Sequence, residues 1–393
     1  MKNVLIASFD MEVGGVERSL LSMLTNFNYE QYKVDLMLYR HTGDFMNQLP
    51  DGPTLLKECP SYKTFRMSIG ETLKSGQYVL SLIRLLAKCK ASLQKSTENG
   101  YKQMQYMWKY ALPFLPKQEK EYDVAISYLW PHYFVAYQVK AKTKIAWIHT
   151  DFSTVDTDIK LDLEMWEQFT HIVAVSESCK DSFLKKYPSL LSKVVVIENI
   201  MSPSLVRELA NEVIENPMLQ DNRFKIVTVA RLSYAKGIDQ AIKALKLLRN
   251  KGYDNIAWYV VGYGGDEKML RNLIEENQLE NHFILLGKQL NPYPFMKEAD
   301  LYVQPSRYEG KAVTVGEAQI LGKAVLISNY KTAKSQVVCG INGVISGTTP
   351  EDLTNSIISL YKDETLITSL VTNCMQGDFN NESELNKLYS LTN

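Results

Sequence analysis

The sequence predicts an α/β protein built from two doubly wound parallel-sheet domains. Short apolar runs of strand length alternate with amphipathic stretches of helix length, which is the pattern of parallel strands joined by crossover helices. The alternation halts at a polar stretch and then begins again. The chain is also 393 residues long, and single cores stop growing beyond about 250–300 residues.

In order, Val4–Ala7 reads as a first strand and Gly15–Thr25 as its helix. The apolar run from Met1 to Phe9 is too short for a signal peptide and belongs to that strand. Lys33–Leu38, Val124–Ser127, Lys144–Ile148 and His171–Val175 are expected strands, Glu177–Lys186 a helix, and Val194–Ile197 the strand that closes the first half. From about Asn199 to Arg223 the chain is polar and holds Pro203 and Pro217, the expected domain joint. Phe224–Ala230, Ile256–Val261 and Phe283–Leu286 are then strands, with helices over Gly237–Asn250 and Glu267–Glu276. Ala299–Gln304 is a further strand, and Glu351–Lys362 a late helix. The expected domains are 1–200 and 201–378, with 379–393 forming a helix that packs back on the first. Open sheets of this kind bind ligands at the carboxyl ends of their strands.

Composition excludes several classes. Lys plus Arg equals Asp plus Glu at 44 each, so no global field points to nucleic acid. The five cysteines, Cys59, Cys89, Cys179, Cys339 and Cys374, contain no Cys-x-x-Cys pair. That pattern suggests reduced thiols in a cytoplasmic protein. The five histidines lack metal-ligand spacing, so no metal site is expected. No run approaches the ~20 apolar residues that span a bilayer.

The most informative segment is Ser306 to Ser328. It follows the strand ending at Pro305, carries Glu309 and Gly310, opens a helix with small residues, places Glu317 inside that helix and ends it at Gly322 before a strand over Ala324–Ile327. A loop entering a helix start presents backbone N–H groups and the positive end of a dipole, suited to a diphosphate. Ionised carboxylates beside it accept hydrogen bonds from sugar hydroxyls. A phosphate cradle flanked by two such carboxylates is what a nucleotide-sugar site requires.

This segment resembles the donor-site motif of retaining GT-B glycosyltransferases, specifically glycosyltransferase family four. The resemblance implies two Rossmann-like domains facing a cleft. It also implies that Glu309 contacts the transferred hexose, that Glu317 holds the ribose, and that Gly310 and the backbone of Lys311, Ala312 and Val313 meet the diphosphate. Relatives often carry Gly-Phe-Gly or Gly-Leu-Pro after the first glutamate, where this chain has Gly-Lys-Ala. Val229-Ala-Arg-Leu-Ser-Tyr-Ala-Lys-Gly is similar to the family's first donor-side motif, which assigns Arg231 and Lys236 to the diphosphate. Cations there offset the charge that builds on the departing nucleotide.

Three further stretches are similar to family features. Gly14 and Gly15 lie between the first strand and its helix, where glycine permits close backbone approach; the family loop there lines the site near donor phosphate and acceptor. His149 ends a strand in Ala-Trp-Ile-His-Thr-Asp, and the resemblance has it meet the donor sugar, with Asp151 a candidate on the acceptor side. Val261-Gly-Tyr-Gly-Gly lacks the Gly-x-Gly-x-x-Gly spacing of a dinucleotide fingerprint and is expected to shape a wall of the site. Gly287-Lys-Gln289 sits where relatives pack the base. Ser176 and Glu177 read as an N-cap and a favourable first-turn charge, Glu17 likewise as a first-turn residue, and Asn199 as part of the joint.

One segment breaks the alternation. Lys57–Lys120 holds twelve Lys or Arg against four Asp or Glu, interleaved with Leu and aromatic residues. Two readings remain: a helical cover over the first sheet with a solvated basic face, or an interfacial segment on an anionic membrane.

Together these imply a retaining, metal-independent hexosyltransferase with no cofactor. Its co-substrate would be a nucleoside diphosphate sugar, and its acceptor a glycan or lipid-linked sugar of bacterial surface polysaccharide. The expected location is the cytoplasm or, on the membrane reading of Lys57–Lys120, the inner membrane face as a peripheral protein. The competing readings are a non-catalytic nucleotide-sugar binder and a GT-B epimerase or phosphorylase; no lysine site for a phosphorylase cofactor is evident.

Overall fold

The computed structural model describes residues 1–93, 99–379 and 381–392. They form two compact units, one of Met1–Ile200 with Glu382–Asn393 and one of Met201–Asn381.

Unit 1 holds, in chain order, β1 (Lys2–Ser8), α1 (Gly15–Thr25), β2 (Tyr32–Leu38), β3 (Thr54–Leu55), the short helices α2 (Pro60–Lys63) and α3 (Ile69–Lys74), and the longer pair α4 (Tyr78–Ser92) and α5 (Asn99–Ala111). There follow β4 (Tyr122–Ser127), β5 (Ala141–Ile148), α6 (Ile159–Trp166), β6 (His171–Ala174), α7 (Glu177–Lys186) and β7 (Val194–Val196). The strands lie in the order β3-β2-β1-β4-β5-β6-β7 and pair in parallel throughout. Val4, Leu5, Ile6 and Ala7 are all buried, so β1 is covered on both faces, as a central parallel strand must be. The strand order reverses between β1 and β4, which is where a doubly wound sheet opens a crevice.

Unit 2 begins with α8 (Pro203–Leu209) and β8 (Phe224–Val229), then α9 (Ile238–Asn250), β9 (Ile256–Val261), α10 (Glu267–Glu276), β10 (Phe283–Gly287) and α11 (Tyr293–Glu298). It continues with β11 (Leu301–Gln304), α12 (Val313–Ile320), β12 (Ala324–Ser328), β13 (Val344–Ser346), α13 (Pro350–Lys362) and α14 (Glu364–Gln376). Its parallel sheet runs β10-β9-β8-β11-β12-β13 and reverses between β8 and β11. One apolar layer centred on Trp258 and Leu245 covers one face, and another around Tyr259, Tyr302 and Val315 covers the other.

The chain then returns to unit 1 as α15 (Glu384–Ser390). Tyr389 stacks on Tyr32 with ring centroids 5.0 Å apart, and its hydroxyl accepts from Asn28 N at 2.8 Å. Lys2 Nζ donates to the Thr392 carbonyl at 2.6 Å. Phe379 packs in the core of unit 2, so the crossing back begins after it; residues 380 and 393 of the expected terminal segment lie outside the described residues.

The structure adds to the sequence reading in two places. The polar joint contains a helix, α8, started by Pro203 at its first turn and anchored by buried Val206. Three aliphatic residues in seven, Leu205, Val206 and Leu209, are too few to show helical periodicity against a polar background. Among its described residues the Lys57–Lys120 segment holds four α-helices, with Trp108 of α5 fully buried and stacked on Phe65 at 3.8 Å. Five of its basic side chains are paired: Lys63 with Glu58, Arg66 with Asp10, Lys102 with Asp156, Lys109 with Glu164 and Lys120 with Asp35. Arg84 donates to the carbonyls of Thr64 and Met67. Lys95 and Glu98 lie outside the described residues.

Candidate functional site

The carboxyl ends of β8 and β11, flanking the strand-order reversal of unit 2, carry Arg231, Lys236 and Glu309. Glu309 is buried. Lys236 Nζ donates to both its carboxylate oxygens, at 2.7 Å to Oε1 and 2.6 Å to Oε2. Ser306 Oγ at 2.7 Å and Gln304 Nε2 at 3.1 Å also donate to Oε1. Thr332 Oγ1 holds the Glu309 carbonyl at 3.1 Å. The carboxylate is therefore fixed before any ligand arrives, which is how a site avoids reorganisation during reaction. Gln304 is itself oriented by the Tyr302 hydroxyl at 2.6 Å.

The two loops are bound to one another by backbone and charge. Gly237 adopts φ 66° as the N-cap of α9, and a Cβ there would stand 2.0 Å from the Pro305 carbonyl oxygen. Only glycine meets both requirements. Arg307 N donates to the Ala235 carbonyl at 2.8 Å, and its guanidinium grips Asp239 through two bonds of 2.8 and 2.6 Å. Burial pushes the Asp239 carboxyl up, but the Arg307 hydrogen bonds and charge outweigh it and hold the carboxyl below its ordinary range. Next to this lock the Arg231 side chain is exposed, and no ion pair to it is found among the described residues.

The sequence reading gave Lys236 to the diphosphate; here its ammonium is engaged with Glu309. It also gave the Ala312 backbone to the diphosphate, but Ala312 N donates to Gln336 Oε1 at 3.1 Å, and Gln336 Nε2 returns a bond to the Ala312 carbonyl at 2.9 Å. Ala312 caps α12, so Val313 and Thr314 supply the first-turn N–H groups that have no partner within the helix. Gly310 is buried and Lys311 partly exposed on the approach to that turn. Glu317, almost wholly buried, takes a 2.7 Å hydrogen bond from the Tyr293 hydroxyl on α11. Gln304, Ser306, Tyr293 and Gln336 were missed from sequence. Only Gln304, a polar residue ending a buried strand, gave any signal.

The glycine turn after β9 packs on the same backbone. Cβ atoms at Gly262 and Gly264 would lie 1.9 Å from the Ala230 carbonyl oxygen and 2.2 Å from that of Leu232. The turn is thus a buttress for the strand end that carries Arg231.

In unit 1, Gly14, Glu17, Ser19, Tyr128 and His149 gather around the strand-order reversal. Ser19 Oγ donates to Asn199 Oδ1 at 2.8 Å and meets the Tyr128 hydroxyl at 2.8 Å. The Tyr128 ring lies 4.7 Å from the His149 ring. Gly14 precedes α1 in extended backbone, and a Cβ would stand 2.3 Å from Glu17 Oε2, whereas at Gly15 it would meet nothing within 4 Å. Glu17 lies in the first turn of α1, as expected, and is buried there. Asn199 is tied to α1, Ser176 caps α7 through Cys179 N, and Asp151 is buried as the cap of a short turn.

Burial pushes the His149 imidazole down from 6.5 to about 3, against a smaller opposing hydrogen bond with the Tyr128 backbone. The native ring is therefore neutral, and Nε2 has no hydrogen-bond partner among the described residues. Burial lowers His132 as well. The unfolded chain takes up protons that these rings refuse, so stability is present above about pH 6.5 and is lost as pH falls below it. The fall in Tm between about pH 7 and about pH 5 should be smaller in His149→Gln than in the parent; an equal fall would contradict the neutral ring.

Two parallel α/β units with these topologies are the GT-B fold. Residues 211–375 match the family described as Glycosyl transferases group 1, a span that contains Arg231, Lys236, Glu309 and Glu317. Among curated relatives, an uncharacterised glycosyltransferase of Methanocaldococcus jannaschii is 28% identical over 43% of this chain and 42% of its own length. The capsular polysaccharide biosynthesis glycosyltransferase CapM of Staphylococcus aureus is 30% identical over 45% of this chain and 48% of its own. The chain thus spans about half the length of the curated relatives it matches. Among solved structures, S. aureus TarM in complex with fondaparinux, alpha-GlcNAc-glycerol and UDP superposes over 100% of both chains with a TM-score of 0.70 at 15% identity.

Proposed function

We propose that the protein is a retaining glycosyltransferase that moves a sugar from a nucleoside diphosphate sugar to a glycan or lipid-linked acceptor in bacterial surface-polysaccharide assembly. The observation that carries the reading is the Glu309 carboxylate, held by Lys236, Ser306 and Gln304 beside the exposed Arg231. The group 1 match over 211–375 and the polysaccharide glycosyltransferases among the relatives support it.

In this reading unit 2 holds the donor. Glu317 accepts from the ribose hydroxyls, Arg231 and the first-turn N–H groups of α12 face the diphosphate, and Glu309 accepts from the hexose hydroxyls. Lys236 bridges between carboxylate and phosphate, so donor binding draws its ammonium partly away from Glu309. Within unit 1 the candidates remain the Gly14–Gly15 loop and the neutral His149, whose imidazole is suited to a hydrogen bond with a sugar hydroxyl. The bond from the anomeric carbon to the phosphate oxygen breaks, and the acceptor oxygen bonds to that carbon on the same face. The acceptor proton passes to the departing phosphate oxygen, and Arg231 and Lys236 offset the charge left there. The cysteines are free thiols, which suits a reducing compartment, and we place the reaction on the cytoplasmic side.

A panel of nucleoside diphosphate sugars, incubated with the enzyme in excess EDTA, tests this. One donor should release its nucleoside diphosphate slowly to water without added metal. Loss of release in EDTA with recovery on magnesium would overturn the metal-independent scheme. Interconversion of the nucleotide sugar with no release would identify an epimerase instead.

A further inference from the structure

The outer face of α4 is apolar and exposed. Tyr78, Val79, Leu82, Leu85 and Leu86 are exposed, Leu82 by 58% and Leu86 by 53%, and Cys89 is exposed among them. At 100° per residue these positions fall within one arc of about 120°. The opposite side of the helix, with Leu80, Ile83, Ala87 and Ala91, is buried in the core of unit 1. Single exposed apolar residues are ordinary on a protein surface, but a contiguous stripe along one helix marks an interaction site.

The charges around the stripe say what it meets. Neither α4 nor α5 contains an Asp or Glu. Lys88 stands exposed at one edge of the stripe and Lys74 precedes it on α3. At the other edge Lys90 donates to the Tyr110 hydroxyl at 2.8 Å, its ammonium over the rings of Tyr106 and Tyr110. The one carboxylate of α3, Glu71, is turned back into a capping box with Ser68. A protein partner would be expected to answer some of these groups with shape; an anionic bilayer answers both the apolar arc and its cationic rim. Fifteen residues of helix span about 22 Å, less than the ~30 Å of hydrocarbon, and no described helix is long and apolar enough to cross a membrane. The helix would therefore lie in the plane of the interface.

We infer that α4 docks the protein on an anionic lipid surface by inserting Tyr78, Val79, Leu82, Leu85 and Leu86 below the headgroups, with Lys74 and Lys88 at headgroup level. This narrows the sequence expectation. Five of the basic side chains in Lys57–Lys120 are spent on carboxylates, so apolar insertion carries the attachment and the few free lysines select anionic lipid. The inference stands apart from the transferase reading: vesicle binding is measured without donor or acceptor, and its failure leaves the donor site untouched.

Cys89 is a reporter within the stripe. The full chain with Cys59→Ser and Cys339→Ser is labelled at Cys89 with an environment-sensitive dye and mixed with vesicles of phosphatidylcholine, with or without phosphatidylglycerol. The expected result is a blue shift and co-sedimentation with the anionic vesicles, falling as salt rises. Leu82→Glu and Leu86→Glu should each weaken partitioning by about tenfold; both residues are exposed, and an unchanged Tm shows that the variants fold. Three results would overturn the inference: equal binding to neutral vesicles, binding indifferent to the two substitutions, or a blue shift that grows with protein concentration alone as a dimer forms.

Discussion

Glu309→Gln should lower turnover with the full sugar donor by about 10²–10³-fold while leaving nucleoside diphosphate affinity within about threefold. The substitution keeps shape and removes charge. Three donors converge on this carboxylate, so its position is set by the fold and only its electrostatic role is lost. Lys236, freed of its partner, remains available to phosphate, which is why product-like nucleotide binding should survive. Steady-state kinetics beside calorimetry separates the two effects. Turnover near the parent value would remove Glu309 from the reacting centre, and a parallel loss of nucleotide affinity would mean that the carboxylate serves only to hold the lysine.

A loss of turnover should also follow from Gly237→Ala, by a different route. A left-handed conformation costs an L-residue roughly 1–2 kcal/mol, and here the added carbon would also stand 2.0 Å from the Pro305 carbonyl oxygen. Both contacting groups are backbone, so the 234–237 turn must move and carry Lys236 away from Glu309. Turnover should fall by more than about tenfold, with Tm lowered. Gly265→Ala is the matched control, since a Cβ there meets nothing within 4 Å. If both variants behave like the parent, the lock between the two loops does not position Lys236.

Much of the fold was legible because buried parallel strands are short, continuous apolar runs. Ile256–Val261, Glu267–Glu276 and Glu177–Lys186 have the same limits in sequence and structure. α8 and α11 were not, because short helices that begin on proline inside polar or aromatic surroundings leave no period to count. In the site, the motif spacing located Glu309 and Lys236 on adjoining loops, but not that they bond to each other. That pairing depends on Gly237 approaching Pro305, a contact between residues 68 positions apart. Nor could spacing show that Gln336 occupies the Ala312 N–H, since the two meet only once β12 is in place. The basic segment is less cationic than its composition for a related reason: a charge count cannot see Asp10, Asp35 and Asp156 arriving from elsewhere to pair with three of its side chains.

The central claim is that the carboxyl edge of β8 and β11 in unit 2 is a nucleotide-sugar site. Calorimetric titration of the intact protein with uridine, guanosine and adenosine diphosphates, repeated with Glu317→Ala, tests it most directly. One of the three should bind, and the substitution should weaken that nucleotide by about 1.5–3 kcal/mol, roughly 10–150-fold, because the ribose hydroxyls lose a charged acceptor. Binding of none of them, or equal affinity in parent and variant, would contradict the assignment.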